Sequence, residues 1–97
     1  MIEIEETTSF RRWFRRIKDD KTVAVINSRL TRVALGHLGD VKSVGGRVWE
    51  LRIDYGAGYR LYFTWRGAEL IILLAGGDKT TQSRDIAKAR KMALEVE

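Results

Sequence analysis

Apolar and polar residues alternate at the start of the chain, with Ile2 and Ile4 set off by Glu3 and Glu5, which predicts a short strand with one apolar face. From Thr8 the period lengthens. Phe10, Trp13, Phe14 and Ile17 fall at i, i+3, i+4 and i+7, the stripe of an amphipathic helix, and Arg11, Arg12, Arg15 and Arg16 occupy its other side. A second helix follows, with Asp19 or Asp20 as N-cap and Val23, Ile26, Leu30 and Val33 along one face. Gly36 supplies the left-handed residue that closes helices, and His37 falls in the loop beyond it. The few residues between the helices predict that they pack as an antiparallel hairpin.

Three strands are predicted next. In residues 47–55, Trp49, Leu51 and Ile53 alternate with Glu50, Arg52 and Asp54, so one face is buried and the other meets water. Tyr55, Gly56, Ala57 and Gly58 form a connection of hairpin length. Beyond it, Leu61, Phe63 and Trp65 alternate with Arg60, Tyr62, Thr64 and Arg66. Arg66 and Gly67 turn the chain into residues 69–75, which are apolar on both parities and read as a central strand covered on both faces. Gly76 and Gly77 are expected to break that strand, and Thr80 or Thr81 to cap a last helix through Ile86, Ala89 and Ala93. The predicted order is strand-helix-helix-strand-strand-strand-helix. Residues 1–97 then make a single α+β domain, a helical hairpin packed on a small, mainly antiparallel sheet.

Composition narrows the function. The 97 residues contain no cysteine, which excludes disulfides, thiolate metal sites and thiol catalysis and fits a reducing cytoplasm. The acidic start lacks the pattern of a signal peptide, and the longest apolar run, residues 70–75, falls far short of the roughly 20 residues that cross a bilayer. The expectation is a cytoplasmic protein with no membrane contact. Eighteen Lys and Arg against thirteen Asp and Glu give a net charge of +5, which favours a polyanionic partner.

The candidate chemistry lies on the middle hairpin. Glu50, Arg52 and Asp54 are expected on the wet face of one strand and Arg60, Tyr62 and Thr64 on that of its neighbour, roughly 5 Å away. Lys79 reaches the same region if the third strand lies beside the second. Arginines grip phosphate oxygens in pairs and lysine adds a compact charge, so the group suits attack of a ribose 2′-hydroxyl on the adjacent phosphorus, where charge builds on the phosphoryl oxygens. His37 is the only histidine and no ligand spacing is present, so neither a metal site nor a cofactor is expected. Proton transfer falls to Glu50, Tyr59 or Tyr62. Trp13, Trp49 and Trp65 fall on apolar phases and read as core.

Three stretches in this order and spacing resemble the HigB-like branch of the RelE/ParE toxin superfamily. They are Trp49-Glu50-Leu51-Arg52, Gly58-Tyr59-Arg60-Leu61-Tyr62-Phe63, and the run from Leu73 through Lys79 to Gln82 with Asp85, Ile86 and Ala89 beyond. The resemblance extends from Phe10 to about Ala93. It implies a RelE-like fold and a metal-independent endoribonuclease that cuts mRNA on the ribosome and is held inactive by a cognate antitoxin, often a helix-turn-helix protein. It also implies that Arg52, Arg60 and Lys79 are the functional cations and that Glu50 belongs with them; Arg47, Lys42, Tyr59 and Tyr62 are further expected as RNA contacts. The chain departs from the family in having no Tyr or His after Asp85, where an acid–base residue is common. Two other activities stay open at this point: non-catalytic inhibition of gyrase, as in the ParE branch, and an inactive module that only binds the antitoxin and represses their operon.

Overall fold

In the computed structural model, which describes residues 1–96, the elements run β1 (Glu3–Glu6), α1 (Thr8–Arg15), α2 (Asp20–Ala34), β2 (Val41–Gly45), β3 (Val48–Ile53), β4 (Tyr59–Arg66), β5 (Leu70–Asp78) and α3 (Gln82–Glu95). The α+β order is the predicted one with a strand added. The strand order across the sheet is β1-β5-β4-β3-β2, with β1 parallel to β5 and the other pairs antiparallel. The added strand, β2, shows no alternation because Val41 packs in one core and Val44 in the other, and a register shift falls between Ser43 and Gly45.

The sheet is covered on both faces. Phe10 of α1 and Ile26 and Val33 of α2 pack against Leu51, Ile53, Leu61, Phe63, Ile71 and Leu73, with Trp13, Trp49 and Trp65 at the rim of this core. On the opposite face Ala89 and Ala93 of α3 meet Val48, Tyr62, Ile72, Leu74 and Ala75. The two-parity apolar run of β5 is therefore covered as predicted.

The expected wet face of β3 and β4 is the main correction. Glu50 and Tyr62 are fully buried and Thr64 nearly so, because α3 lies over them. The small inward residues of α3 mark a helix but do not reveal which polar face it covers. Each of these buried side chains makes at least one hydrogen bond: the Tyr62 hydroxyl donates to Glu50 Oε2 at 3.1 Å, Gln82 Nε2 to the same oxygen at 2.7 Å, and the Thr64 hydroxyl to the Arg47 carbonyl at 2.7 Å.

Nor do Gly76 and Gly77 break β5. They continue the ladder opposite Leu61 and Arg60. What they lack is a side chain where none fits: a Cβ on Gly76 would stand 2.2 Å from the Trp13 ring, and one on Gly77 1.9 Å from Asp85 Oδ2. The glycines let α1 and α3 close on the end of the strand.

Helix ends follow the sequence in position more than in bonding. Thr7 caps α1, its hydroxyl accepting from the Phe10 N–H at 3.1 Å. Asp19 and Thr81 stand at the N-caps of α2 and α3 but bond side chains instead, Asp19 accepting from Thr22 and Thr81 donating to Asp85. Gly36, at φ +97°, closes α2 with bonds from its own N–H to Val33 and from the His37 N–H to Arg32, both 2.9 Å. Among the described residues, no helix is long and apolar enough to cross a membrane.

Candidate functional site

Arg52 of β3 and Arg60 of β4 are direct cross-strand partners. Like charges so placed, with Cβ atoms about 5 Å apart, repel each other unless something balances them. Each arginine has its own balance. Arg52 donates from Nε and Nη2 to Asp40 Oδ1, at 3.2 and 2.9 Å. Arg60 is 16% exposed at its side chain and stands with Nε 4.0 Å from Oε2 of the buried Glu50, while its Nη1 donates to the carbonyls of Gly58 and Tyr59. The hydrogen bond from Arg52 holds the Asp40 carboxyl below its ordinary value, and the charges of Arg52, Arg29 and Arg60 act in the same direction.

The loop bearing Asp40 is anchored from below. Arg29, almost buried in α2, donates to the carbonyls of Arg52 at 2.6 Å, Leu38 at 2.9 Å and Asp40 at 3.2 Å. One guanidinium thus ties the end of β3 to the segment before β2. The arrangement fixes where Asp40 meets Arg52.

Lys79 arrives from β5, whose Asp78 is paired with Tyr59 at the start of β4. Asp78 Oδ1 accepts from the Thr80 N–H at 2.8 Å and the Thr80 hydroxyl at 2.5 Å, which shapes the turn that presents Lys79. The lysine stem lies over Gly58, where a Cβ would meet Lys79 Cδ at 3.2 Å and Arg60 Nη1 at 3.6 Å. Arg52, Arg60 and Lys79 consequently line one cleft of about 300 Å³, together with the carboxylates of Asp40 and Asp54. The strand order on which Lys79 depended is the one observed.

The other sequence candidates fall elsewhere. Glu50 stands behind Arg60 instead of in the cleft, with its Oε1 lacking a hydrogen-bond partner among the described residues. Tyr62 is sealed under α3, and burial, followed by the Glu50 carboxylate, pushes its phenol well above the ordinary value. Neither is exposed to take a proton from a ligand. Tyr59 points to the opposite face, its ring 6.4 Å from that of Trp13. Arg47 sits in the β2–β3 turn with φ +63°, about 17 Å along the strand from Arg52. Lys42 is exposed on the edge strand β2, in register with Glu50 and outside the cleft.

Asp40, Arg29 and Gln82 were not singled out in the sequence. Asp40 stands outside any periodic stretch and reaches Arg52 only because β2 pairs with β3. Arg29 interrupts the apolar face of α2 as an ordinary surface residue would. Gln82 gains meaning only once α3 is laid over Glu50. Among the described residues, no three His, Asp or Glu side chains converge to hold a metal ion.

The family model described as "Phage derived protein Gp49-like (DUF891)" matches residues 12–94, which include every cleft residue. An uncharacterized protein of Haemophilus influenzae is 44% identical over 95 residues, covering 98% of this chain and 96% of its own.

Proposed function

We propose that this chain, which belongs to the phage-derived Gp49-like family, is the toxin of a toxin–antitoxin pair and cuts mRNA on the ribosome in the cleft of Arg52, Arg60 and Lys79. The observation that carries the reading is the in-register arginine pair, which lines a cleft at one end of a covered sheet and is joined there by Lys79. Three cations converging on one small polar cleft suit a phosphodiester whose oxygens gain charge as the reaction proceeds. The resemblance to HigB-like toxins supplies the substrate class and the neutralising antitoxin, expected to be a helix-turn-helix protein.

In this mechanism the 2′-oxygen attacks the neighbouring phosphorus, the bond to the 5′-oxygen breaks, and the departing 5′-oxygen takes a proton from solvent, leaving a 2′,3′-cyclic phosphate and a 5′-hydroxyl. Arg60 and Lys79 hold the phosphoryl oxygens, and Arg52 joins them from its tether on Asp40. The 2′-hydroxyl proton goes to Asp54, which lines the cleft and, among the described residues, has no cation within 4 Å. Asp40 is committed to Arg52 and suits the task less.

The test is induced expression of the wild type and of Arg60→Ala without the antitoxin, followed by primer extension on abundant mRNAs. Growth arrest with new mRNA ends for the wild type, and neither for the variant, supports the reading. Arrest of DNA replication ahead of translation, or no growth defect at all, would overturn it in favour of gyrase inhibition or an inactive antitoxin-binding module.

A further inference from the structure

A second cleft, of about 330 Å³, opens on the outer side of β5, where α1 and α3 converge over Gly76. Arg12 and Arg16 line it from α1, and Arg84 and Lys88 line it from α3. Trp13 belongs to the same lining, half-buried, its ring against Gly76. We infer that this cleft binds a stretch of single-stranded RNA, as a second contact for the strand that enters the cleft of Arg60 and Lys79. The ligand class rests on the function proposed above.

The charges are unbalanced. Among the described residues, Arg12, Arg16 and Lys88 have no carboxylate oxygen within 4 Å, and Arg84 Nε approaches only Asp85 Oδ1, at 3.8 Å. Asp85 is nearly buried and accepts at Oδ2 from Thr81 at 2.5 Å. Four cations against one carboxylate in one recess make a site of high positive potential, which a polyanion relieves. Arg11 and Arg15, also on α1, do not line it.

Spacing and shape favour a nucleic acid strand over an acidic peptide. Arg12 and Arg16 are four residues apart, as are Arg84 and Lys88, so each wall carries cations about 6 Å apart along its helix. Such rows follow successive phosphates of an extended strand. Trp13 adds an aromatic ring, held by Phe10, Phe14 and Tyr59 at centroid distances of 5.7 to 6.4 Å. Trp13 lines the cleft and is half-buried, so it offers a base an aromatic surface beside the row of cations. The two clefts also adjoin. Gly76 lines this one, and its neighbour Gly77 is the register partner of Arg60, so the two clefts flank the end of β5.

The proposal is tested by fluorescence anisotropy with a labelled 12-nucleotide 2′-O-methyl RNA. The full chain cannot cut this probe, so binding is read apart from cleavage. Arg12→Ala/Arg16→Ala and Arg84→Ala/Lys88→Ala are each expected to weaken binding at least tenfold. Each pair should also flatten the salt dependence by about 1.4, two contacts at roughly 0.7 each. Arg11→Ala/Arg15→Ala removes the same charge from α1 outside the cleft and is expected to leave affinity within twofold. Wild-type affinity in both cleft variants, or equal weakening by the Arg11/Arg15 control, would overturn the second contact. Capture of a polyglutamate peptide in preference to RNA would overturn it as well, in favour of an acidic protein partner. Absence of mRNA cutting by the wild type would instead strike the function proposed above and leave the binding result standing.

Discussion

Arg60 stands with its Nε 4.0 Å from Oε2 of Glu50, and that carboxylate is completely buried beneath α3 while the arginine opens into the cleft. Glu50 is fixed by Tyr62 and Gln82, and under the function proposed above it is expected to position Arg60. Glu50→Ala leaves Arg60 without its counter-charge and opens a void, and is expected to cost about 3 kcal/mol in urea unfolding. Glu50→Gln keeps the shape and is expected to remain folded while RNA cleavage falls, because Arg60 is no longer drawn to one position. Cleavage by purified Glu50→Gln at the wild-type rate would contradict the positioning role.

Gly77→Ala places a methyl where Asp85 Oδ2 now sits, at 1.9 Å. The start of α3 must shift, and Gln82, one turn earlier than Ile86, shifts with it. The expected result is a loss of about 2 kcal/mol or more in thermal or urea unfolding. Gly67→Ala, at φ +69° with nothing within 4 Å of the added Cβ, provides the comparison for backbone strain alone. A larger loss there than at Gly77 would show that the close approach of α3 is not what Gly77 serves.

Asp40 gives the pH dependence. Its carboxyl lies below the ordinary value of 3.8 in the fold because Arg52 bonds the charged form. A depressed folded value means that the contribution is present above the unfolded value and is lost as pH falls through the folded one. The Arg52 tether is therefore expected to persist through neutral and mildly acidic pH and to release only below 3.8. Carboxyl chemical shifts followed by NMR check this, and Arg52→Ala should move the Asp40 midpoint upward. A midpoint unchanged by Arg52→Ala would contradict the assignment.

Arg29→Met removes the three carbonyl bonds that hold the segment before β2 to the end of β3. The buried carbonyls lose their donor, so a loss of about 2 kcal/mol is expected, with amide exchange rising first near Leu38 and Asp40. Exchange that rises uniformly over the whole chain would show that Arg29 does not act locally.

Local periodicity made most of the fold legible. The stripes of α1 and α2, the alternation of β3 and β4 and the two-parity run of β5 each report their own burial, and strand adjacency then brings Lys79 beside Arg60. Periodicity is silent on what lies across a face, so Glu50 and Tyr62 read as open although α3 covers them. It is silent on long-range pairing too. Asp40 and Arg29 act through a strand, β2, whose valines serve opposite cores and show no pattern. Gly76 and Gly77 read as a break because a missing side chain looks the same whether it ends a strand or admits a helix.

The most direct test of RNA cleavage in this cleft is the chemistry of the cut end. Wild type, Arg60→Ala and Lys79→Ala, each added to a purified translation system, are compared by mapping the upstream mRNA fragment and its terminus. The expected result is a 2′,3′-cyclic phosphate from the wild type and at least a hundredfold less product from either variant, with the variants folded as judged by circular dichroism. A 3′-hydroxyl end, or cutting by Arg60→Ala at the wild-type rate, would contradict it.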